Sequence, residues 1–194
     1  MVAYDRPGFG SSDLPDGPYD ITAEVNNLHA VLTSMGLADS VLFVAHSYGA
    51  LLAQIHASLR PATVSGLVFL DPNNAATMIA LHEIQTRPFK EGAPTTSRER
   101  AFARIDAAIW DTLTAVYRSP LPKGIPLTVV SAEEGLFPEE RLTEAFRLTH
   151  RLLALSVIDG RTVVAERSNH MIPAQRPDIV VDSVRDILSR SRRR

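Results

Sequence analysis

The stretch Val41-Leu42-Phe43-Val44-Ala45-His46-Ser47-Tyr48-Gly49-Ala50 carries the pattern from which the fold can be read. Four apolar residues in a row, mostly β-favouring, predict a buried strand, and Ala50-Leu51-Leu52-Ala53-Gln54-Ile55-His56-Ala57 predicts a helix. Ser47 stands at the corner between them. A strand-to-helix turn that sharp brings together the backbones two residues before and two residues after the serine, so sizeable side chains should clash there; Gly49 fits and Ala45 nearly fits. Taken alone, the five residues leave two readings open, an exposed nucleophile or an ordinary serine helix cap.

Flanking segments separate the two. Val2-Ala3-Tyr4 reads as the end of a strand running into the glycine-rich loop Asp5-Arg6-Pro7-Gly8-Phe9-Gly10-Ser11-Ser12. A phosphate-cradling loop is the competing reading, but no third glycine opens a helix and no Gly-Lys-Ser follows. Downstream, Arg167-Ser168-Asn169-His170-Met171-Ile172-Pro173 lies between the β-like run Thr162-Val163-Val164-Ala165 and an amphipathic helix from Pro177 to Leu188. With the loop before it and the histidine after it, the serine corner resembles the α/β-hydrolase family. That resemblance implies a mostly parallel sheet flanked by helices with a helical cap, in which Ser47 is the nucleophile and His170 its base. Of the other histidines, His29, His56, His82 and His150 fall in helix-like patterns and read as surface or packed residues. His46 flanks the serine without being its base.

Two carboxylates compete for the third role. Asp71 ends the strand Gly66 to Leu70, in Phe69-Leu70-Asp71-Pro72, whereas Glu134 follows the strand Leu127 to Val130 in Ser131-Ala132-Glu133-Glu134-Gly135. Both positions suit the family, and Asp71 is the preferred acid because the resemblance is strongest to a subgroup with Asp-Pro after the earlier strand. A serine hydroxyl becomes a useful nucleophile only when a base takes its proton, and an acid on the far imidazole nitrogen fixes the tautomer. The tetrahedral oxyanion needs backbone donors, one of them normally the N–H after the nucleophile, here Tyr48.

The resemblance further implies that the strand ending at Asp5 corresponds to the fourth of the family's strands. The expected fold therefore lacks the first three strands and the His-Gly loop that gives the second oxyanion donor. A strand at Val2 to Tyr4 would then miss its inner neighbour and leave backbone groups unpaired.

Strand and helix signals alternate along the chain, with helices at Thr22 to Met35, Tyr48 to Leu59, Glu139 to Leu155 and Pro177 to Arg190, and the resemblance implies that residues 1–194 are a single partial α/β-hydrolase domain. Residues 73–123 resemble the cap insertion that covers family active sites, and Met78, Ile79, Phe89, Phe102, Ile109, Trp110 and Tyr117 either line a pocket there or simply pack.

The bulk composition, 45% hydrophobic and 22% charged with a formal net charge of −2, implies no attraction to nucleic acid or membrane. No cysteine is present, so a thiolate nucleophile is excluded. Neither a cofactor nor a metal site is expected, the partner is a small-molecule substrate, and a cytoplasmic location is the default. Dehalogenases and epoxide hydrolases of this fold use an aspartate at the elbow, so Ser47 points instead to acyl transfer to water, foremost from a small carboxylic ester. The contrasting expectation is an inactive remnant or a ligand-binding protein that kept the fold.

Overall fold

A computed structural model describes residues 1–76, 78–79, 93–134 and 140–191. Four parallel strands form one sheet in sequence order: β1 (Val41–His46), β2 (Val64–Leu70), β3 (Leu127–Ala132) and β4 (Gly160–Ala165). Parallel neighbours need crossover connections. Helix α2 (Gly49–Leu59) joins β1 to β2, α3 (Ser97–Ala107) and α4 (Ile109–Tyr117) lie between β2 and β3, and α5 (Glu140–Leu155) joins β3 to β4. Helix α1 (Ile21–Ser34) precedes the sheet; the short α6 (Ile172–Gln175) and the longer α7 (Pro177–Ser191) follow it.

Strand periodicity sorts the core into two layers. Leu67 and Phe69 of β2, with Leu127 and Val129 of β3, pack against alanines of α2 and Ala154 of α5. The alternate residues Val68, Leu70 and Val130 face Ile187 of α7 on the other side. Leu67, Val68 and Phe69 are completely buried, as expected of a central parallel strand covered on both faces. Gly66 lets α7 approach closely, because a Cβ there would lie 2.2 Å from the Ile187 side chain. A third cluster joins Ile21 and Val25 of α1, Leu51, Leu52 and Ile55 of α2, and Val116 of α4.

The helices fall within a residue or two of expectation, and their ends have local causes. Asp20 caps α1 by accepting from Thr22 N at 2.8 Å, and Thr96 with Glu99 forms a reciprocal capping box on α3. The expected strand at Val2 to Tyr4 is not formed: these residues carry no strand structure and pair with none of the four strands. β-favouring residues make a strand only where a neighbouring strand accepts their backbone groups, and no described residues supply one.

In the 73–123 segment, α4 packs on α1 and α2, with Gln54 donating to the carbonyls of Val116 and Ser119. Ile109 is buried, whereas Phe102, Trp110 and Tyr117 are exposed; Phe102 meets Phe9 edge-on at 5.2 Å. Met78 packs against the third cluster and Ile79 is exposed. Phe89 lies outside the described residues, as do residues 135–139 next to Glu134. No helix among the described residues is long and apolar enough to cross a membrane.

One buried group makes the fold acid-sensitive. His56 on α2 is fully buried between Phe43 and His29, and among the described residues neither ring nitrogen has a hydrogen-bond partner. Burial, aided by the nearby Arg60 and His29, pushes its pKa down to about 4. Its folded-state pKa therefore lies below the unfolded one. Above the unfolded value the imidazole is neutral in both states; below it only the unfolded chain takes up the proton, and stability falls until the pH reaches the folded value. We expect the urea midpoint to drop between pH 7 and pH 4.5, with about 2–3 kcal/mol of the loss due to this side chain. A His56→Leu variant should lose correspondingly less over the same interval, and an equal loss would contradict the assignment.

Candidate functional site

Because the strands run parallel, their carboxyl ends collect on one edge of the sheet, where open α/β sheets bind ligands. His46 pairs in register with Leu70, and Leu70 with Val130, while Ala132 pairs with Ala165. The residues that follow these ends are Ser47, Asp71, the Glu133-Glu134 pair and the loop that carries His170.

Ser47 has φ +53° and Asp71 φ +41°, the left-handed region that non-glycine residues seldom occupy. Such conformations persist where surrounding contacts over-determine them, and they concentrate at functional sites. The two turns are bonded to each other. Ser47 N–H donates to Leu70 O at 3.0 Å, and Asn73 N–H donates to Ser47 O at 3.1 Å. Asp71 N–H reaches Val130 O on β3 at 2.7 Å. The elbow has room for a methyl group at position 49, since a Cβ on Gly49 would sit 3.8 Å from the Ala45 methyl, an ordinary contact. Gly49→Ala should therefore fold normally and gain up to about 1 kcal/mol from its better helix propensity. A large drop in its urea midpoint would show that the turn is tighter than this geometry allows.

His170 Nδ1 bonds Asp71 Oδ2 at 2.7 Å, and the other carboxylate oxygen accepts from Ala132 N–H at 3.0 Å. Burial alone would push the Asp71 carboxyl up, but the hydrogen bonds from His170 and Ala132 outweigh it and hold the group below its ordinary range. Asp71 is thus a carboxylate at neutral pH, and the His170 ring presents Nε2 as its other nitrogen. His46 Nε2–H donates to the His170 carbonyl at 2.7 Å, with the two rings 4.5 Å apart, and burial lowers the pKa of His46.

The structure brings Asp71, and not Glu134, to His170. Glu134 is exposed at its side chain and acts through its backbone, its N–H donating to Ser168 O at 2.9 Å. Beside it, the Glu133 carboxylate accepts from Arg167 N–H at 2.6 Å. Both tie the end of β3 to the histidine loop. That loop is closed further by Asn169, whose N–H donates to Gln175 Oε1 and whose Oδ1 accepts from Met171 N–H.

Tyr48 begins the turn leading into α2, where amides have no intrahelical acceptor, and the helix dipole favours negative charge. Its ring is held by residues that the sequence left unassigned. The Arg6 guanidinium lies 4.9 Å from the Tyr48 ring centroid and grips both oxygens of Glu24 on α1. Tyr48 Oη donates to Tyr19 Oη at 3.1 Å. The glycine loop folds on itself rather than around an anion: Ser11 N–H donates to Asp5 Oδ2 at 2.9 Å, and a Cβ on Gly10 would strike that carboxylate. What the loop delivers to the site is Arg6. The only sequence signal for this was a basic residue two positions before a glycine.

A model of the alpha/beta hydrolase family matches residues 1–183, and the chain belongs to that family. Protein YqjL of Bacillus subtilis (strain 168) is 26% identical over 190 residues, spanning 96% of this chain and 72% of YqjL. Among solved structures, an alpha/beta hydrolase fold protein from Burkholderia ambifaria superposes with a TM-score of 0.67 at 20% identity, covering 94% of this chain and 78% of that one. A thermophilic esterase from Thermogutta terrifontis gives a TM-score of 0.61 at 18% identity, covering 96% and 78%. These likenesses establish the fold.

Proposed function

We propose that this chain is a serine hydrolase that works through an acyl-enzyme on a small carboxylic ester, with Ser47 as nucleophile, His170 as base and Asp71 as the acid that orients it. The observation that carries this reading is the 2.7 Å bond from His170 Nδ1 to Asp71 on a sheet edge shared with a serine at φ +53°. The Asp71 carboxylate fixes the proton on Nδ1, so Nε2 is the nitrogen that accepts the Ser47 proton as the oxygen attacks the carbonyl carbon. The imidazolium so formed is stabilised by Asp71 and returns its proton to the leaving alkoxide. Water then repeats the sequence on the acyl-enzyme and releases the acid. Tyr48 N–H at the start of α2 donates to the oxyanion in both steps, and such a donor is worth about 2.7–4 kcal/mol in the transition state.

The family contains several chemistries on one fold, and the nucleophile separates them. A serine forms an ester intermediate with an acyl group, whereas displacement at an alkyl carbon is the work of an elbow aspartate. Residues 73–123 are assigned as the cap over this edge, a reading supported by Phe102 of α3 against Phe9 of the loop holding Arg6 and by the packing of α4 against α1 and α2. The test is hydrolysis of p-nitrophenyl acetate by the purified chain at pH 7.5. Saturable release of p-nitrophenol with an initial burst supports an acyl-enzyme. Release no faster than from an equal concentration of free imidazole contradicts catalysis and leaves a ligand-binding role.

A further inference from the structure

Asp71 is held by more than β3 and the serine elbow. His150, on α5 and only 1% exposed, reaches across the end of β3 with both ring nitrogens. Its Nε2 lies 3.0 Å from Pro72 O, and its Nδ1 lies 2.9 Å from Ser131 Oγ and 3.9 Å from Asp71 Oδ1. A carbonyl can only accept, so Nε2 carries the hydrogen; Nδ1 then accepts from the Ser131 hydroxyl. The neutral ring is satisfied at both nitrogens, and its Nε2–H clamps the Pro72–Asn73 peptide, one residue beyond the strained Asp71.

We propose that His150 is a positioning residue for Asp71: by gripping Pro72 O from α5 it keeps the Asp71 turn, and with it the carboxylate, aligned on His170. The role rests on the reading of Asp71 and His170 as catalytic partners. Because the ring is neutral, it places no second cation on Asp71, whose charge stays available to the imidazolium formed at His170. Burial favours that neutral form. The titratable groups facing His150 are Asp71 and His170; Arg147, one turn earlier on α5, directs its guanidinium to the carbonyls of Ala132 and Glu133 instead. Next to it, Thr149 Oγ1 accepts from Asn74 Nδ2 at 3.0 Å, a second tie from α5 to the segment after Asp71.

A histidine that only filled the core would leave the Asp71–His170 bond unchanged when replaced by an apolar residue. The full chain is compared with His150→Leu, which removes both bonds, and His150→Gln, whose amide N–H can still reach Pro72 O. Two readouts are taken: kcat and KM for p-nitrophenyl acetate, and the downfield proton resonance of the His170 Nδ1–H hydrogen bond. For His150→Leu we expect kcat to fall on the order of 100-fold with KM within about twofold, as for a small misplacement of catalytic groups, and the resonance to be lost. His150→Gln should retain the resonance and most of kcat. A folded leucine variant with wild-type kcat and resonance, or a glutamine variant as impaired as leucine, overturns the proposal. If the leucine variant does not fold, Ser131→Ala takes its place, with kcat expected to fall about tenfold and the resonance to broaden; no change in either overturns the proposal. The resonance needs no turnover, so a chain inactive on the ester would count against the proposed function while the positioning role is still decided by the spectrum.

Discussion

Replacing Ser47 with alanine is expected to lower kcat for p-nitrophenyl acetate by about a million-fold, to the background that bound water and the oxyanion donor sustain. The size follows from the mechanism. Without the hydroxyl no acyl-enzyme forms, and His170 and Asp71 have no proton to relay, so removing the serine costs nearly as much as removing the set. The fold should survive, because what holds residue 47 at φ +53° is its backbone: the N–H to Leu70 O and the carbonyl accepting from Asn73 and Ala50. A urea midpoint near that of the parent chain, measured on the same sample, confirms that lost activity is lost chemistry. Turnover within about tenfold of the parent would remove Ser47 from the mechanism.

The second large effect separates the two acids. Asp71→Asn is expected to reduce kcat on the order of ten-thousand-fold, as in triads where the same exchange leaves geometry intact but traps the wrong tautomer. Its amide oxygen would keep the bond from Ala132 N–H, which turns the NH2 group toward His170 Nδ1. Nδ1 must then accept, the ring proton moves to Nε2, and the base can no longer take the serine proton. Glu134→Gln should leave kcat within about twofold, because its side chain is exposed and its contribution to the site comes from a backbone N–H. Loss of activity in the glutamine variant with an active Asp71→Asn would reverse the assignment.

Much of the fold was legible in the sequence because its signals are local. The apolar runs at Val41, Gly66, Leu127 and Thr162 each became a strand, and the helix between Tyr48 and Leu59 followed from small and apolar residues after the serine. The run at Val2 failed for a non-local reason: pairing depends on a neighbour, and composition does not report one. The turns that carry Ser47 and His170 could be located from local sequence. The choice between Asp71 and Glu134 could not be made from spacing, since each ends a parallel strand beside the next. Only the register of β2 against β3 and the path of the histidine loop separate a carboxylate 2.7 Å from Nδ1 from one facing solvent. His150 was invisible as anything but a packed helical residue, because its two partners lie in segments 78 and 19 residues away. Arg6 was hidden in the same way, its role depending on Glu24 and the Tyr48 ring.

The methyl of Ala45 leaves room for another at position 49, so the elbow absorbs a methyl group as the sequence suggests. The strain of the elbow resides in the dihedral of Ser47 and is held by hydrogen bonds to the Asp71 turn. The Ser47 and Asp71 turns are therefore mechanically linked, and a change at one should be felt at the other.

Whether Ser47 is an activated nucleophile is decided by treating the purified chain at pH 7.5 with a fluorophosphonate and mapping the adduct by peptide mass spectrometry. One phosphonyl group on Ser47, formed rapidly in the parent chain and slowed by orders of magnitude in Asp71→Asn, is the predicted result. An unlabelled Ser47, or labelling at the same slow rate in both chains, would contradict it.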